Sequence, residues 1–345
     1  MIIVMNSEAT KEQVDHMIER IEFMGLRSRP IFGELQTVIA VVGDVTDEHR
    51  ESLSVGPGVM EVLRVQSPYK LASREVHHDP TVIRVGSMTV GGGKIAVIAG
   101  PCSVESREQM RTTAAGVKRL GACALRGGAF KPRTSPYSFQ GLKDEGLKIL
   151  ADAREETGLS IVTEVVAASD VDLVARYADV LQVGARNMQN YQLLEAVGDC
   201  DRPVLLKRSA SGTLDELLLA AEYILDRGNP NVMLCERGIR TFEAHVRFTL
   251  TLASVPYLQE RTHLPILVDP SHGVGRSSLI PKMSAAALAA GADGLLIEVH
   301  PKPEEALCDG PQSLDLAAFE ETMNMCRKII DATGGELAEA ETSEV

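Results

Sequence analysis

A pattern that repeats eight times between Lys94 and Gly334, a short apolar run, a polar loop and then an amphipathic helix, predicts a (β/α)8 barrel. The apolar runs are continuous rather than alternating, as expected of parallel strands covered on both faces. Ahead of them, the first 66 residues read strand, helix, strand, strand, helix, strand, which is the ferredoxin-like order. The expected fold class is therefore α/β, a barrel preceded by a small α+β ferredoxin-like domain. The expected divisions are 1–66, a linker and short hairpin over 67–93, the barrel over 94–334 and an acidic tail over 335–345.

In the first domain the predicted elements are a strand over Ile2 to Met5, a helix over Lys11 to Met24, and strands over Arg27 to Phe32 and Thr37 to Val42. A helix over Thr46 to Leu53 and a strand over Met60 to Val65 complete it. Val14, Met17, Ile18 and Ile21 recur at helical spacing, and Thr37-Val-Ile-Ala-Val-Val is a β-branched run. A connector bearing Lys70, Arg74, His77 and His78 leads to two short strands around Gly86-Ser87. The glycines 91–93 before Lys94 depart from a phosphate loop, because Met88 stands where the first glycine is required, Ile95 follows the lysine, and a strand comes next.

The barrel strands are expected at Ile95 to Ala99, Ala122 to Leu125, Ser160 to Thr163 and Val180 to Val183. The second four are Pro203 to Leu206, Val232 to Cys235, Ile266 to Val268 and Gly294 to Ile297. Helices such as Leu214 to Leu225 and Leu316 to Ile330 would form the outer ring. An open doubly wound sheet is disfavoured, because no Gly-x-Gly-x-x-Gly stands at the first strand–helix turn. The final residues, with Glu336, Glu339, Glu341 and Glu344, read as a frayed tail.

Composition narrows the function. Of 345 residues, 44% are apolar and 24% charged, which is ordinary globular usage. Thirty-five basic against forty-eight acidic side chains give a formal charge of −13, the wrong sign for general attraction to nucleic acid or anionic lipid. With no Trp, 6 Tyr and 7 Phe there is no aromatic platform for single strands. The start MIIVMNSEATKEQVD lacks the features of a signal peptide, and Ala285 to Val299, the most apolar stretch, is too short and polar to span a bilayer. A cytoplasmic protein with six reduced cysteines is expected, with no nucleic-acid or membrane partner.

Barrel enzymes carry their chemistry at the carboxyl ends of the strands. There the sequence places Arg126, Lys131, Arg133, Arg186, Lys207, Arg208 and Arg237. Such a rim in an acidic protein is an anion pocket, and its charge calls for substrates with at least three anionic groups. Cys102, His272 and Glu298 end the first, seventh and eighth strands, which barrel closure makes neighbours. Asp309, eleven residues beyond Glu298, can fold back to complete a donor set for a divalent transition metal. Singly, Cys102 would more often be a buried thiol and His272 a hydrogen-bonded core histidine. Cys308 in the same loop and the nearby His300 are expected to be either bystanders or groups that support the ligands from behind, not ligands themselves.

The motifs Ala99-Gly-Pro-Cys102, Leu125-Arg126-Gly-Gly-Ala-Phe-Lys131-Pro-Arg133-Thr-Ser135, Gly184-Ala-Arg186-Asn-Met-Gln-Asn190, Leu206-Lys207-Arg208, Cys235-Glu-Arg237-Gly, Asp269-Pro-Ser-His272 and Ile297-Glu298-Val-His300 together resemble 3-deoxy-D-arabino-heptulosonate 7-phosphate (DAHP) synthase, type I beta. The resemblance spans essentially the whole chain, including the ferredoxin-like domain of members with an allosteric extension. It implies condensation of phosphoenolpyruvate with D-erythrose 4-phosphate and water to DAHP and phosphate, the entry step of the shikimate pathway. By motif position, Arg186 and Arg237 would hold the phosphate of phosphoenolpyruvate, and Arg126, Lys131 and Lys207 its carboxylate and reacting end. Arg133 and Thr134 would take the erythrose phosphate, with Glu164 and Ala185 also in the substrate-binding set. Cys102, His272, Glu298 and Asp309 would hold one divalent ion, with manganese, iron, cobalt and zinc all open. Lys131 is the candidate proton donor to the new alkoxide.

The resemblance further implies a homotetramer and inhibition by tyrosine or phenylalanine bound to the N-terminal domain, which would clamp over the barrel mouth. A passive oligomerisation module is the alternative for that domain. The competing readings of the whole chain are a 3-deoxy-D-manno-octulosonate 8-phosphate synthase type of enzyme and a catalytically silent anion or amino-acid sensor.

Overall fold

The computed structural model describes residues 1–33, 37–63, 67–86, 88–131 and 137–338. It divides into two compact units, Met1–Pro80 with Glu260–His263, and Thr81–Gln259 with Leu264–Val345.

The first unit contains β1 (Ile2–Met5), α1 (Lys11–Phe23), β2 (Arg27–Phe32), β3 (Thr37–Val42), α2 (Asp47–Ser54) and β4 (Val59–Leu63). The strands form one sheet in the order β2-β3-β1-β4, antiparallel throughout, which is the ferredoxin-like arrangement the sequence predicts. Both helices start at a threonine whose side chain accepts from the backbone three residues on, Thr10 from Gln13 and Thr46 from His49. Val14, Met17 and Ile21 of α1 meet Ile3, Met5, Ile39, Val41 and Leu53 in a dry core. The last two residues of the predicted fourth strand, Arg64 and Val65, lie outside the described residues.

In the second unit β5 (Ile83–Val85) and β6 (Met88–Val90) form a hairpin. Then come β7 (Lys94–Gly100), α3 (Arg107–Arg119), β8 (Ala124–Arg126), α4 (Asp144–Thr157), β9 (Ser160–Val165), α5 (Val171–Ala175), β10 (Val180–Val183) and α6 (Tyr191–Gly198). The series continues with β11 (Val204–Lys207), α7 (Leu214–Asp226), β12 (Val232–Glu236), α8 (Ser254–Arg261), β13 (Ile266–Val268), α9 (Pro270–Val274), α10 (Ile280–Ala289), β14 (Gly294–Glu298), α11 (Leu316–Thr333) and β15 (Glu336–Leu337). Strands β7 to β14 pair in parallel in chain order, and β14 closes on β7 with Gly294 opposite Ala96 and Glu298 opposite Gly100. This is the expected eight-stranded barrel.

Three features depart from the expected layout. The hairpin is more than a connector: Ile83, Val85, Met88 and Val90 join Ala96, Ala124, Val162, Leu205, Leu267 and Leu296 in one core, so they stopper the barrel. Ser160, the first residue of β9, donates to the carbonyl of Val85 at 2.8 Å, which places the stopper at the amino-terminal end. The predicted frayed tail is instead ordered at its start. Glu336–Leu337 pairs in parallel with Lys94 and Ile95, and Ala338 is buried in the barrel core, because the chain leaving α11 still has apolar side chains to cover. Residues 339–345 lie outside the described set. Finally, an irregular stretch of 17 residues, from Arg237 to Ala253, separates β12 from α8. Among the described residues no helix is long and apolar enough to cross a membrane.

Candidate active site

Closure of the barrel brings its carboxyl-terminal side chains to one mouth. Asp269, immediately after β13, caps α9: its Oδ1 accepts from the backbone of His272 at 2.8 Å, with Pro270 in the first turn. Its Oδ2 lies 2.7 Å from Nδ1 of the same imidazole and also pairs with Nζ of Lys207. This fixes the ring so that Nε2 faces inward, 3.5 Å from Oε1 of Glu298 and 3.9 Å from Oδ2 of Asp309. Burial is the largest influence on the imidazole and lowers its pKa, although the carboxylates of Asp269 and Glu298 pull the other way. A neutral His272 with a free Nε2 is the form that ligates metals.

Glu298 is fully buried at the end of β14. Burial alone would raise its pKa, but His272 and Arg126 outweigh it and bring the carboxyl down to about 2. Arg126 Nη1 donates to Glu298 at 2.6 Å, and Gln312 Nε2 donates to its other oxygen at 2.5 Å. Cys102 Sγ lies 3.3 Å from Asp309 Oδ2 and 2.9 Å from Cys308 Sγ. The contact with Cys308 and then burial raise the Cys102 pKa well above that of an ordinary thiol. The four predicted ligands therefore fall into two groups that share Asp309. His272, Glu298 and Asp309 form one, and Cys102 and Asp309 form the other with Cys308, each with donor atoms within 4.8 Å of one another.

Beside these donors opens a cleft of about 450 Å³. Of the predicted substrate residues, Arg126, Lys131, Glu164, Ala185, Arg186, Lys207 and Arg237 line it, together with His272 and Asp309. Lys131 Nζ donates to the carbonyl of Cys102 at 3.0 Å. Burial opposes its charge, but the sulfur of Cys102 and the carboxylate of Glu164 more than offset this, and its pKa is raised. Gln182 holds Glu164 at 3.5 Å. The Arg237 guanidinium lies 4.1 Å over the ring of Phe248, and burial lowers its pKa. Nε of Arg126 is buried without a hydrogen-bond partner in the structure. Arg133 and Thr134 lie outside the described residues.

One predicted rim cation is not on the rim. Arg208 is buried, bonded to Glu236 at 2.7 Å and to the carbonyl of Gly212, because successive residues beyond a strand point to opposite sides and Lys207 takes the inward one. Two others take its place. Arg240 and Arg247, from the irregular stretch after β12, line the cleft, a segment without periodicity to mark them. Asp269 and Gln312 were also missed as site residues. The helix-start signal at Asp269-Pro270 was visible in the sequence, whereas Gln312 has no local signature.

A closed barrel with metal-type donors and a cationic cleft at the carboxyl ends of its strands defines a (β/α)8 enzyme for anionic substrates. Residues 74–332 match the family model described as the DAHP synthetase I family, and residues 1–67 that of the DAHP synthase ferredoxin-like domain. The chain belongs to the DAHP synthetase I family and is an enzyme of that family. It is 48% identical over 337 residues to the phospho-2-dehydro-3-deoxyheptonate aldolase of Thermotoga maritima, spanning 97% of this chain and 99% of that relative. A crystal structure of that Thermotoga maritima DAHP synthase superposes with a TM-score of 0.78 at 46% identity, covering 97% of this chain and 98% of the other. The structure of a truncated form of the Thermotoga maritima synthase gives 0.73 at 47% identity over 77% of this chain and 98% of that one. A 2-dehydro-3-deoxyphosphooctonate aldolase of Syntrophobacter fumaroxidans is 31% identical over 275 residues, 73% of this chain and 94% of that relative.

Proposed function

We propose that this chain joins phosphoenolpyruvate, D-erythrose 4-phosphate and water into DAHP and inorganic phosphate, in a metal-dependent reaction at the barrel mouth. The observation that carries this reading is a cationic cleft lined by Arg126, Lys131, Arg186, Lys207, Arg237, Arg240 and Arg247, which opens directly onto the donors His272 and Asp309. Two phosphorylated substrates repel each other. Seven cations offset that repulsion and hold the reacting carbons together, and such positioning contributes several kcal/mol, on the order of half of the ~7–11 available from proximity.

In this reading Arg186 and Arg237 grip the phosphate of phosphoenolpyruvate, while Arg126, Lys131 and Lys207 hold its carboxylate and reacting end. The unpartnered Nε of Arg126 and the already paired Nζ of Lys207 support binding by one and orientation by the other. Glu164 and Ala185 line the substrate, and Arg133 and Thr134 take the erythrose phosphate. The methylene carbon bonds to the aldehyde carbon, water adds at the enol carbon, and the phosphate leaves. Lys131, kept protonated, delivers a proton to the alkoxide that forms. His272 Nε2, the carboxylates of Glu298 and Asp309 and the thiol of Cys102 fit a divalent transition ion, being a neutral imidazole, two hard oxygens and one soft sulfur. A manganese, iron, cobalt or zinc ion held there supplies Lewis acidity toward the aldehyde oxygen or the water.

The assay is phosphate release from phosphoenolpyruvate in the presence of erythrose 4-phosphate, arabinose 5-phosphate or no aldehyde. Release with erythrose 4-phosphate alone, abolished by chelation and restored by metal, is expected. Preference for arabinose 5-phosphate would move the chain to the octulosonate reaction, and no release with either would leave a sensor. The same reading places the protein in the cytoplasm as a homotetramer at the first step of the shikimate pathway. It also assigns the ferredoxin-like unit to inhibition by tyrosine or phenylalanine.

A further inference from the structure

We propose that Cys308 is a metal ligand alongside Cys102, and that this second sulfur makes the centre of this chain selective for thiophilic ions, zinc above manganese. The inference rests on the reading that Cys102, His272, Glu298 and Asp309 hold a metal, and adds to it a residue outside that set.

The two sulfurs are 2.9 Å apart and both residues are buried, with Asp309 Oδ2 3.3 Å from Cys102 Sγ. A thiol is a weak donor and a weak acceptor, so hydrogen bonding between two of them is a poor reason to bury the pair face to face at a polar mouth. Sulfur donors reach a zinc ion at about 2.3 Å, so two of them on one tetrahedral ion stand about 3.8 Å apart. The donor atoms of Cys102, Cys308 and Asp309 lie within 4.8 Å of one another, and the sulfur pair has to open from its 2.9 Å contact to share the ion. The backbone supports the same conclusion. Asp309 is one of two described non-glycine residues with positive φ, at +52°, a conformation that costs on the order of 1 kcal/mol or more. Held in it, consecutive residues 308 and 309 bring a sulfur and a carboxylate oxygen into one cluster. Arg247 secures this turn by bonding Gln312 at 2.6 Å and Asp309 at 3.4 Å.

Ligand softness then sets the preference. One thiolate among an imidazole and two carboxylates is a mixed set that serves several ions, whereas two thiolates favour zinc over manganese. The added negative charge is tolerable beside Arg126 and Lys131, which already flank the donors.

The test uses the full-length, freshly reduced protein loaded with cobalt(II), with sulfur-to-cobalt charge-transfer absorption as the readout. The wild type is expected to show the intensity of two thiolates, and Cys308→Ser half of it, with the zinc-over-manganese preference in competition falling by about tenfold, equivalent to about 1.4 kcal/mol. Bound zinc is also expected to protect both thiols from alkylation. A wild type with one-thiolate intensity and an alkylatable Cys308 overturns the proposal while leaving the metal centre intact. A wild type that binds no cobalt overturns both.

Discussion

Asp269 shows how one carboxylate can organise a site without entering it. It caps α9, fixes the His272 tautomer and pairs with Lys207; burial alone would raise its pKa, but His272 and Lys207 outweigh that and hold it well below the ordinary range. Asp269→Asn keeps the shape but removes the charge, and should weaken metal binding by about 10–100-fold; competition against a chromophoric chelator measures it. Lys131→Met should lower kcat by roughly 10²–10⁴-fold if its proton is the one delivered. Metal content should be unchanged, so loss of metal would reassign Lys131 to structure. In the other unit His263 lies 2.8 Å from the carbonyl of Leu71 and stacks on His77, and burial lowers its pKa to about 4. The folded protein therefore binds fewer protons than the unfolded chain between about pH 6.5 and 4. This contribution is complete above pH 6.5 and is lost as pH falls toward 4. Between pH 7 and pH 5 it amounts to about 2 kcal/mol, a fall in urea midpoint that His263→Gln should lack. At this scale the sequence reveals charge but not direction. Arg186 and Arg208 read alike, yet one lines the cleft and the other is bonded to Glu236 across neighbouring strands.

Among the elements, the barrel strands were legible because they are buried on both faces and so leave short, mostly apolar runs rather than an alternating pattern, with isolated polar residues such as Thr163 in β9 and Gln182 in β10. The stopper role of β5 and β6 was not, since a short hairpin has the same alternation whether it covers a barrel or a solvated edge. Likewise β15 was hidden by its acidic neighbours, and the residues between β12 and α8 carry no period. Gly100 shows how an element's end sets the site. Its φ is +154°, and a Cβ there would overlap the carbonyl oxygen of Arg126 on the adjacent β8. Gly100→Ala must therefore spread β7 from β8 two residues before Cys102 and beside Arg126. The expected result is a protein that retains its circular dichroism but loses both metal affinity and turnover; wild-type values for either would show that the strand end is not what positions Cys102. Met88→Ala, by contrast, empties part of the stopper at the other end of the barrel. It should cost about 2–5 kcal/mol in stability while leaving the mouth and its metal intact.

On the scale of the whole molecule, each unit has its own means of holding together. The barrel closes through β14 and β7 and takes its stopper from β5 and β6, so among the described residues none of its pairing strands comes from the first 66. The ferredoxin-like unit has a separate core built on Ile3, Met17, Ile21 and Ile39. After it, the connector remains bound near its own landing site, with Arg74 donating to the carbonyl of Arg261 at 2.8 Å and Ser73 bridging Thr262. The sequence marks a change of repeat near residue 66, whereas the two structural units part at Pro80–Thr81, residues 67–80 grouping with the first unit. A chain lacking residues 1–66 should therefore fold, bind its metal and release phosphate at close to the full-length rate. If the first unit carries the tyrosine or phenylalanine site, the shortened chain should turn over normally at amino-acid concentrations that inhibit the full chain. Inhibition of equal strength in both would put the effector on the barrel itself. The decisive measurement is a pair of inhibition curves at matched, saturating phosphoenolpyruvate, because only there does a difference report the amino acid rather than a change in substrate affinity.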